Sequence, residues 1–255
     1  MAFEAVCCIL VTMAASIAFI SDIHGNFPAL RAVLADIAEQ EVSETICLGD
    51  VVGYGGQPAE CVDLLRERGI QTLKGNHDFM VTDGVPSWES VGMMMAMMWD
   101  WTRQALTVGH RQWLHELPMT LERPDFQAVH AMLNRPEEWD YVFTAGQAAA
   151  HFAHQVKPLC FIGHTHRPAL WVEGEDDERN ITIQESLDKT RKQVINVGSV
   201  GQPRDEDERA CYLLYRPGQQ DVTWRRVPYD ISAAQRAIED AGLPIKFADR
   251  LRHGR

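Results

Sequence analysis

A chain of 255 residues can bury a substantial core, and 45% hydrophobic with 24% charged residues excludes disorder and collagen-like order. The formal net charge of -12, with no Lys/Arg-rich run, excludes long-range attraction of a nucleic-acid backbone, so any anionic substrate must be drawn in locally. Six cysteines, Cys7, Cys8, Cys47, Cys61, Cys160 and Cys211, form no CxxC pair and mostly lie in apolar segments, which points to free thiols in a reducing cytoplasm.

In chain order, Val6 to Ile20 is apolar apart from Thr12 and Ser16, and Ala14 and Ala15 mimic a cleavage site. Glu4, the lack of Lys or Arg ahead of the run, and its shortness against the roughly 20 apolar residues of a membrane span argue against a signal peptide or anchor. Met13 is a candidate natural start, with residues 1–12 an upstream extension. Strand-length runs then alternate with helical stretches: Ser16–Ile20, Ala29–Glu39, Thr45–Leu48, Pro58–Arg68, Ile70–Leu73. This alternation argues for an α/β class.

After Glu89, VGMMMAMMWDWTRQAL predicts a helix, followed by another ending near Leu117, and its methionines are expected in the core rather than on a partner-facing surface. Strands are expected at Met119–Glu122, Phe126–His130, Leu159–Ile162 and Ala169–Val172, with a helix over Gly146–Val156. EGEDDERN predicts a solvated loop or hairpin tip. Val194–Val197, Cys211–Tyr215 and Val222–Val227 resume the strands, and two short helices broken at Gly242-Leu243-Pro244 close the chain. No repeat or linker divides the sequence, so one domain over 1–255 is expected.

Ligands of α/β sheets sit beyond the carboxyl ends of strands. There the sequence places Ser21-Asp22-Ile23-His24-Gly25-Asn26, Gly49-Asp50-Val51-Val52-Gly53, Gly75-Asn76-His77-Asp78, His130 and Gly163-His164-Thr165-His166. Imidazoles and carboxylates without thiolates are a donor set for borderline and harder divalent metals. Each piece alone is weak: an isolated Asp-x-His is most often a turn, GNHD reads as a loop, and His130 alone reads as a satisfied strand histidine; their ordered recurrence at successive strand ends carries the inference.

The series D-x-H, GD, GNH, H and GH-x-H resembles the calcineurin-like metallophosphoesterases, and most closely their small bacterial and archaeal branch beginning SDIHGN. The resemblance extends from Ser16 through Asn196-Val197-Gly198-Ser199, Gly201-Gln202-Pro203-Arg204 and the closing GLPIKFADRLRHGR. It implies an αββα sandwich of two mixed sheets flanked by helices. It also implies two divalent ions, one held by Asp22, His24, Asp50 and His166, the other by Asp50, Asn76, His130 and His164. Asp50 would bridge them. Manganese is the expected metal, with iron, cobalt, nickel or zinc accepted by the same donors.

Two ions roughly 3.5–4 Å apart can share a water and lower its pKa to around 7 for attack on phosphorus. His77 is implied as the catalytic imidazole beside the leaving group, with Asp78 either orienting it or capping a loop. Asn26, Arg167 and Arg204 are candidate substrate contacts. The expected reaction is hydrolysis of a phosphomonoester, phosphodiester or dinucleoside polyphosphate. A small phosphoester or nucleotide, rather than a stably bound nucleic acid or a membrane, is the expected partner, and self-association is left open.

Two departures from the family pattern matter. Gly53-Tyr54-Gly55 stands where protein phosphatases of the superfamily carry an Asp and an Arg, which disfavours phosphoprotein substrates. Ala131 follows His130 where the family usually has Gly. His151 and His154, at i and i+3, are expected on a solvated helix face, and His110, His115 and His253 lie in polar surroundings. A non-catalytic scaffold using the Met-rich helix, and a nuclease, are the competing readings; the complete ligand set weighs against the first and the acidic charge against the second.

Overall fold

The structure is a computed structural model that describes residues 16–84, 92–177, 179 and 183–255. The candidate start at Met13, Cys7 and Cys8, part of the stretch Asp83–Met98, and Glu178 and Asn180 of the acidic segment lie outside the described residues.

Side chains alternate across a strand, so a strand apolar on both faces must lie between two other layers. In β1 (Ser16–Ile20), Phe19 points to one side while Ala18 and Ile20 point to the other, and all three are fully buried. The first sheet has the order β3 (Gln71–Thr72), β2 (Val42–Cys47), β1, β10 (Ala210–Arg216), β11 (Asp221–Val227), β8 (Gln184–Ser186), with β1, β2 and β3 parallel and the rest antiparallel. The second runs β4 (Thr120–Glu122), β5 (Phe126–Val129), β6 (Leu159–Ile162), β9 (Gln193–Asn196), β7 (Ala169–Val172), with β5, β6 and β9 parallel.

Between the sheets Phe19 stacks on Phe161 at 4.0 Å, and Phe126 meets Phe19 edge-on at 5.4 Å. Truncating such a buried Phe to Ala costs about 3–5 kcal/mol. Against the outer face of the first sheet pack α1 (Phe27–Ala38), α2 (Pro58–Glu67), α4 (Met93–Ala105), α5 (Val108–His115), α7 (Ile231–Asp240) and α8 (Ile245–Asp249). The second sheet is covered by α6 (Ala145–Phe152), whose Phe152 joins Cys160, Ile162 and Trp171. The layers are therefore αββα. Helix starts are written locally: Asn26, Thr107, Thr144 and Asp230 each accept a backbone N–H three residues on.

Several expectations change. GNHD is not a loop: Asn76 to Thr82 form α3, started by Asp78 Oδ2 accepting from Gly75 N at 3.0 Å. The polar strand β8 was not expected. α6 stops at Phe152 rather than Val156, because Gln155 turns back to donate to the carbonyls of Lys157, Pro158 and Gln193 while its neighbour Val156 N donates to Gln127. The methionines of α4 divide: Met98 is in the core, but Met93 and Met97 are 72% and 52% exposed. His151, expected in solvent, is fully buried with neither ring nitrogen hydrogen-bonded. No helix among the described residues is long and apolar enough to cross a membrane.

Candidate metal centre

The parallel strands β1, β2 and β3 of one sheet and β5 and β6 of the other end at the same rim. Backbone bonds tie these ends together: Asp22 N donates to Gly49 O at 3.0 Å, Gly163 N to His130 O at 2.9 Å, and Gly201 N to Asp22 O at 2.9 Å. His164 N crosses between the sheets to Asp22 Oδ2 at 3.1 Å. The approach leaves no room for a side chain at Gly163, where a Cβ would sit 2.1 Å from Ser21 Oγ. Leaving the strands so sharply puts Asp22, His24, Asp50, His164 and His166 at φ of 53°, 50°, 53°, 67° and 60°. Left-handed backbone at a residue with a Cβ costs roughly 1–2 kcal/mol, and such strain persists only where surrounding contacts over-determine it.

The turns bring two donor groups together. One contains Asp22, His24, Asp50 and His166, the other Asp50, His130 and His164, and within each the donor atoms lie within 4.8 Å of one another. Asp50 belongs to both. His130 Nε2 lies 3.4 Å and His24 Nε2 3.6 Å from Asp50 Oδ2, and His166 Nε2 is 3.3 Å from Asp22 Oδ1.

Four imidazoles are anchored alike. His24, His130 and His166 donate Nδ1–H to the carbonyls of Val52, Leu48 and Gln202 at 3.1, 3.2 and 2.6 Å, and His164 donates Nε2–H to Trp139 O at 2.9 Å. Each ring therefore turns its other nitrogen toward the centre, where the neutral imidazole carries its lone pair. Burial keeps His24 and His166 neutral by pushing their pKa well below 6.5 and takes His164 to about 3. Burial opposes the charged form of His130 too, but the Asp50 carboxylate outweighs it and pulls that pKa up to about 9.

Whether a cation fits is answered by atoms left unpaired. Asp22 Oδ1, Asn76 Oδ1 and His130 Nε2 are buried without a hydrogen-bond partner. An orphaned buried polar atom costs about 1–3 kcal/mol, so leaving these without a partner is unfavourable unless something electropositive satisfies the two oxygens and the neutral imidazole. The donor chemistry of imidazole, carboxylate and amide oxygen matches a divalent ion. The residues fit the group.

His77 and Asp78 lie in the first turn of α3. His77 N donates to Asp50 Oδ1 at 2.8 Å, and its ring packs against Tyr54 at 4.6 Å and His24 at 4.8 Å. Burial lowers its pKa to about 4. Asp78 does not orient that ring: its Oδ1 accepts from Val51 N and Val52 N and its Oδ2 from Gly75 N, bracing the Asp50 turn. His77 Nδ1 accepts instead from the indole Nε1–H of Trp99 at 3.1 Å. Nothing in the sequence pairs Trp99 with His77, since the contact depends on where α4 docks.

Of the candidate substrate contacts, Asn26 commits its amide to the fold, capping α1 through Oδ1 and donating to Gly201 O at 2.8 Å. Arg167 is exposed. Arg204 faces the centre: it depresses His166 and His77, donates to Gln202 Oε1, and sits 5.8 Å from the Tyr54 ring, where Arg250 lies at the same distance. Tyr141 stacks on His164 at 4.1 Å, and Phe143 on Tyr141 at 5.2 Å, an aromatic rim absent from the sequence-based expectations. Of the other histidines, His110 pairs with Asp63 and His115 with Asp83, both away from the centre.

The chain is 38% identical to a metallophosphoesterase from Sphaerobacter thermophilus, whose crystal structure superposes with a TM-score of 0.84 over 95% of this chain and 100% of that one. A hypothetical protein from Pyrococcus horikoshii OT3 shares the fold at 19% identity, with a TM-score of 0.76 over 94% of this chain and 98% of its own. An uncharacterized protein of Methanocaldococcus jannaschii is 35% identical over 246 residues, covering 94% of this chain and 98% of that protein. The family model of the calcineurin-like phosphoesterase superfamily domain matches residues 16–217, and the chain belongs to that superfamily of metal-dependent phosphoester hydrolases.

Proposed function

We propose that the chain hydrolyses a phosphomonoester, a phosphodiester or a dinucleoside polyphosphate with two divalent cations. Asp22, His24, Asp50 and His166 would hold one, and Asp50, Asn76, His130 and His164 the other. The observation that carries this reading is the Asp50 carboxylate, common to both donor groups. Manganese is the proposed ion, with iron, cobalt, nickel or zinc accepted by the same donors, and the cytoplasm the proposed compartment. When bound, such ions neutralise phosphate charge and acidify water.

The chain's own residues supply the rest. Only two carboxylates, Asp22 and Asp50, serve this donor set, so the loaded centre would be net cationic inside a protein of formal charge -12. Arg204 adds a guanidinium beside it for the phosphate oxygens. His77 would hold a hydrogen bond to the leaving oxygen. Gly53-Tyr54-Gly55 carries no acid or guanidinium of its own, in keeping with a small substrate rather than a phosphoprotein. The exposed Met93, Met94 and Met97 favour a second reading, a scaffold for protein partners.

Metal analysis beside kinetics on mono-, di- and polyphosphate esters tests the proposal. His77→Ala should keep both metals and lose about 10²–10⁴-fold in turnover, whereas Asp50→Asn should lose metal and activity together. Unchanged turnover in His77→Ala removes that residue's role. Metal-loaded wild-type protein inert across the panel favours the scaffold.

A further inference from the structure

Five imidazoles line the centre, and four are held by donating one N–H to a backbone carbonyl, which turns the other ring nitrogen inward. His77 is held the opposite way. Its Nδ1 receives a hydrogen bond from the indole of Trp99, and an indole nitrogen can only donate. Nδ1 must therefore carry the lone pair and Nε2 the proton.

Among the described residues nothing else competes for Nδ1. The nearest acid in sequence, Asp78, has both carboxylate oxygens engaged by backbone N–H groups. Gly53 closes the remaining side so tightly that a Cβ there would lie 2.4 Å from Nδ1. At the other end of the ring, Nε2 has no hydrogen-bond partner among the described residues, and the ring stands 4.8 Å from that of His24. Trp99 itself is 5% exposed and fixed on α4, so its N–H is held at one angle.

We propose that Trp99 is a positioning residue that fixes the tautomer of His77, so that this ring presents a proton to the substrate where its four neighbours, as neutral rings, present lone pairs. The proposal rests on the reading of His77 as the group beside the leaving oxygen. It also explains why His77, within the same cluster, is not a metal ligand: the indole uses the lone pair that a ligand would need. Because the device acts on the leaving group, its loss should show most where the departing oxygen is basic.

Two variants test this: Trp99→Phe, which removes the donor, and replacement of Trp99 by benzothienylalanine, which keeps ring size without the N–H. Long-range ¹H–¹⁵N NMR of the His77 ring, in metal-free and zinc-loaded protein, should show only the Nε2–H form in the wild type and a measurable share of Nδ1–H in both variants. Turnover of alkyl phosphoesters should fall about five-fold, the worth of one neutral hydrogen bond, while that of 4-nitrophenyl esters changes less than about two-fold. Metal content should not change. An unaltered Nε2–H population in the variants overturns the proposal, as does an equal loss for both ester classes. Full activity in His77→Ala would instead remove the role of His77 and leave the tautomer result standing, so the two failures are distinguishable.

Discussion

Asn76→Ala should have opposite effects on the metal-free and metal-loaded protein. Asn76 Oδ1 is buried and unpaired, and an acceptor in that state costs about 1–3 kcal/mol. Alanine removes the orphan and some packing with it. Without metal, stability should hold or rise by up to about 1 kcal/mol, which at this chain length is about 2–4 °C in Tm. With manganese at 100 times its dissociation constant, a bound ion stabilises by about 2.7 kcal/mol. If the lost oxygen weakens one ion 100-fold, its contribution falls to about 0.4 kcal/mol by the same mass-action relation. The gap between loaded and chelated melting temperatures should therefore shrink by about 5–9 °C. Thermal melts in EDTA and in saturating manganese read both numbers. A metal-free Tm lowered by more than about 4 °C, or a gap equal to wild type, would refute the assignment of Asn76 to the centre.

Gly53 sits at φ +90°, and a Cβ there would press on His77 Nδ1, so Gly53→Ala should keep its metal content and lose at least about five-fold in turnover, one hydrogen bond's worth; kinetics beside elemental analysis would expose the error if turnover is normal. Asp36 accepts from Arg225 at 2.7 and 2.8 Å and from Tyr212 at 2.6 Å, and the Arg225 hydrogen bond leads in holding its pKa below 3.8. A depressed carboxylate contributes its full stability above the unfolded value and loses it as pH falls through the folded one. Urea unfolding should thus separate wild type from Asp36→Asn at pH 7, with the separation closing as pH drops below about 3.8; a gap independent of pH contradicts this. His151→Leu removes two buried, unpartnered ring nitrogens and should raise Tm by about 2–4 °C, and a lower Tm would mean that something bonds that ring.

What the sequence makes legible is what repeats or what lies near in the chain. The β-α alternation, the strand-end carboxylates and imidazoles, and the break at Gly242-Leu243-Pro244 are all local patterns. α3 escaped because seven residues give too few turns for periodicity to register, although Asp78 three residues after Gly75 was a readable start signal. The sequence misplaces His151 because an Ala-rich helix with only Gln147 and His151 as polar residues gives no clue to which face is covered. Asn26 was offered as a substrate contact from its place in a motif, yet its position before Phe27-Pro28 also reads as a helix cap, which is how the structure uses it. Trp99 and Tyr141 meet the centre across distant segments, through packing that no local window contains.

Asp22, His24, Asp50 and Asn76 follow strands of one sheet, whereas His130, His164 and His166 follow strands of the other. The rim that bears these donors is thus also the clasp of the sandwich: whatever fastens these side chains fastens layer to layer. Slippage of about one ångström along that seam could silence turnover a hundred-fold while every helix and strand stayed intact. Activity is accordingly a finer gauge of interlayer registry in this protein than any spectroscopic measure of its secondary structure.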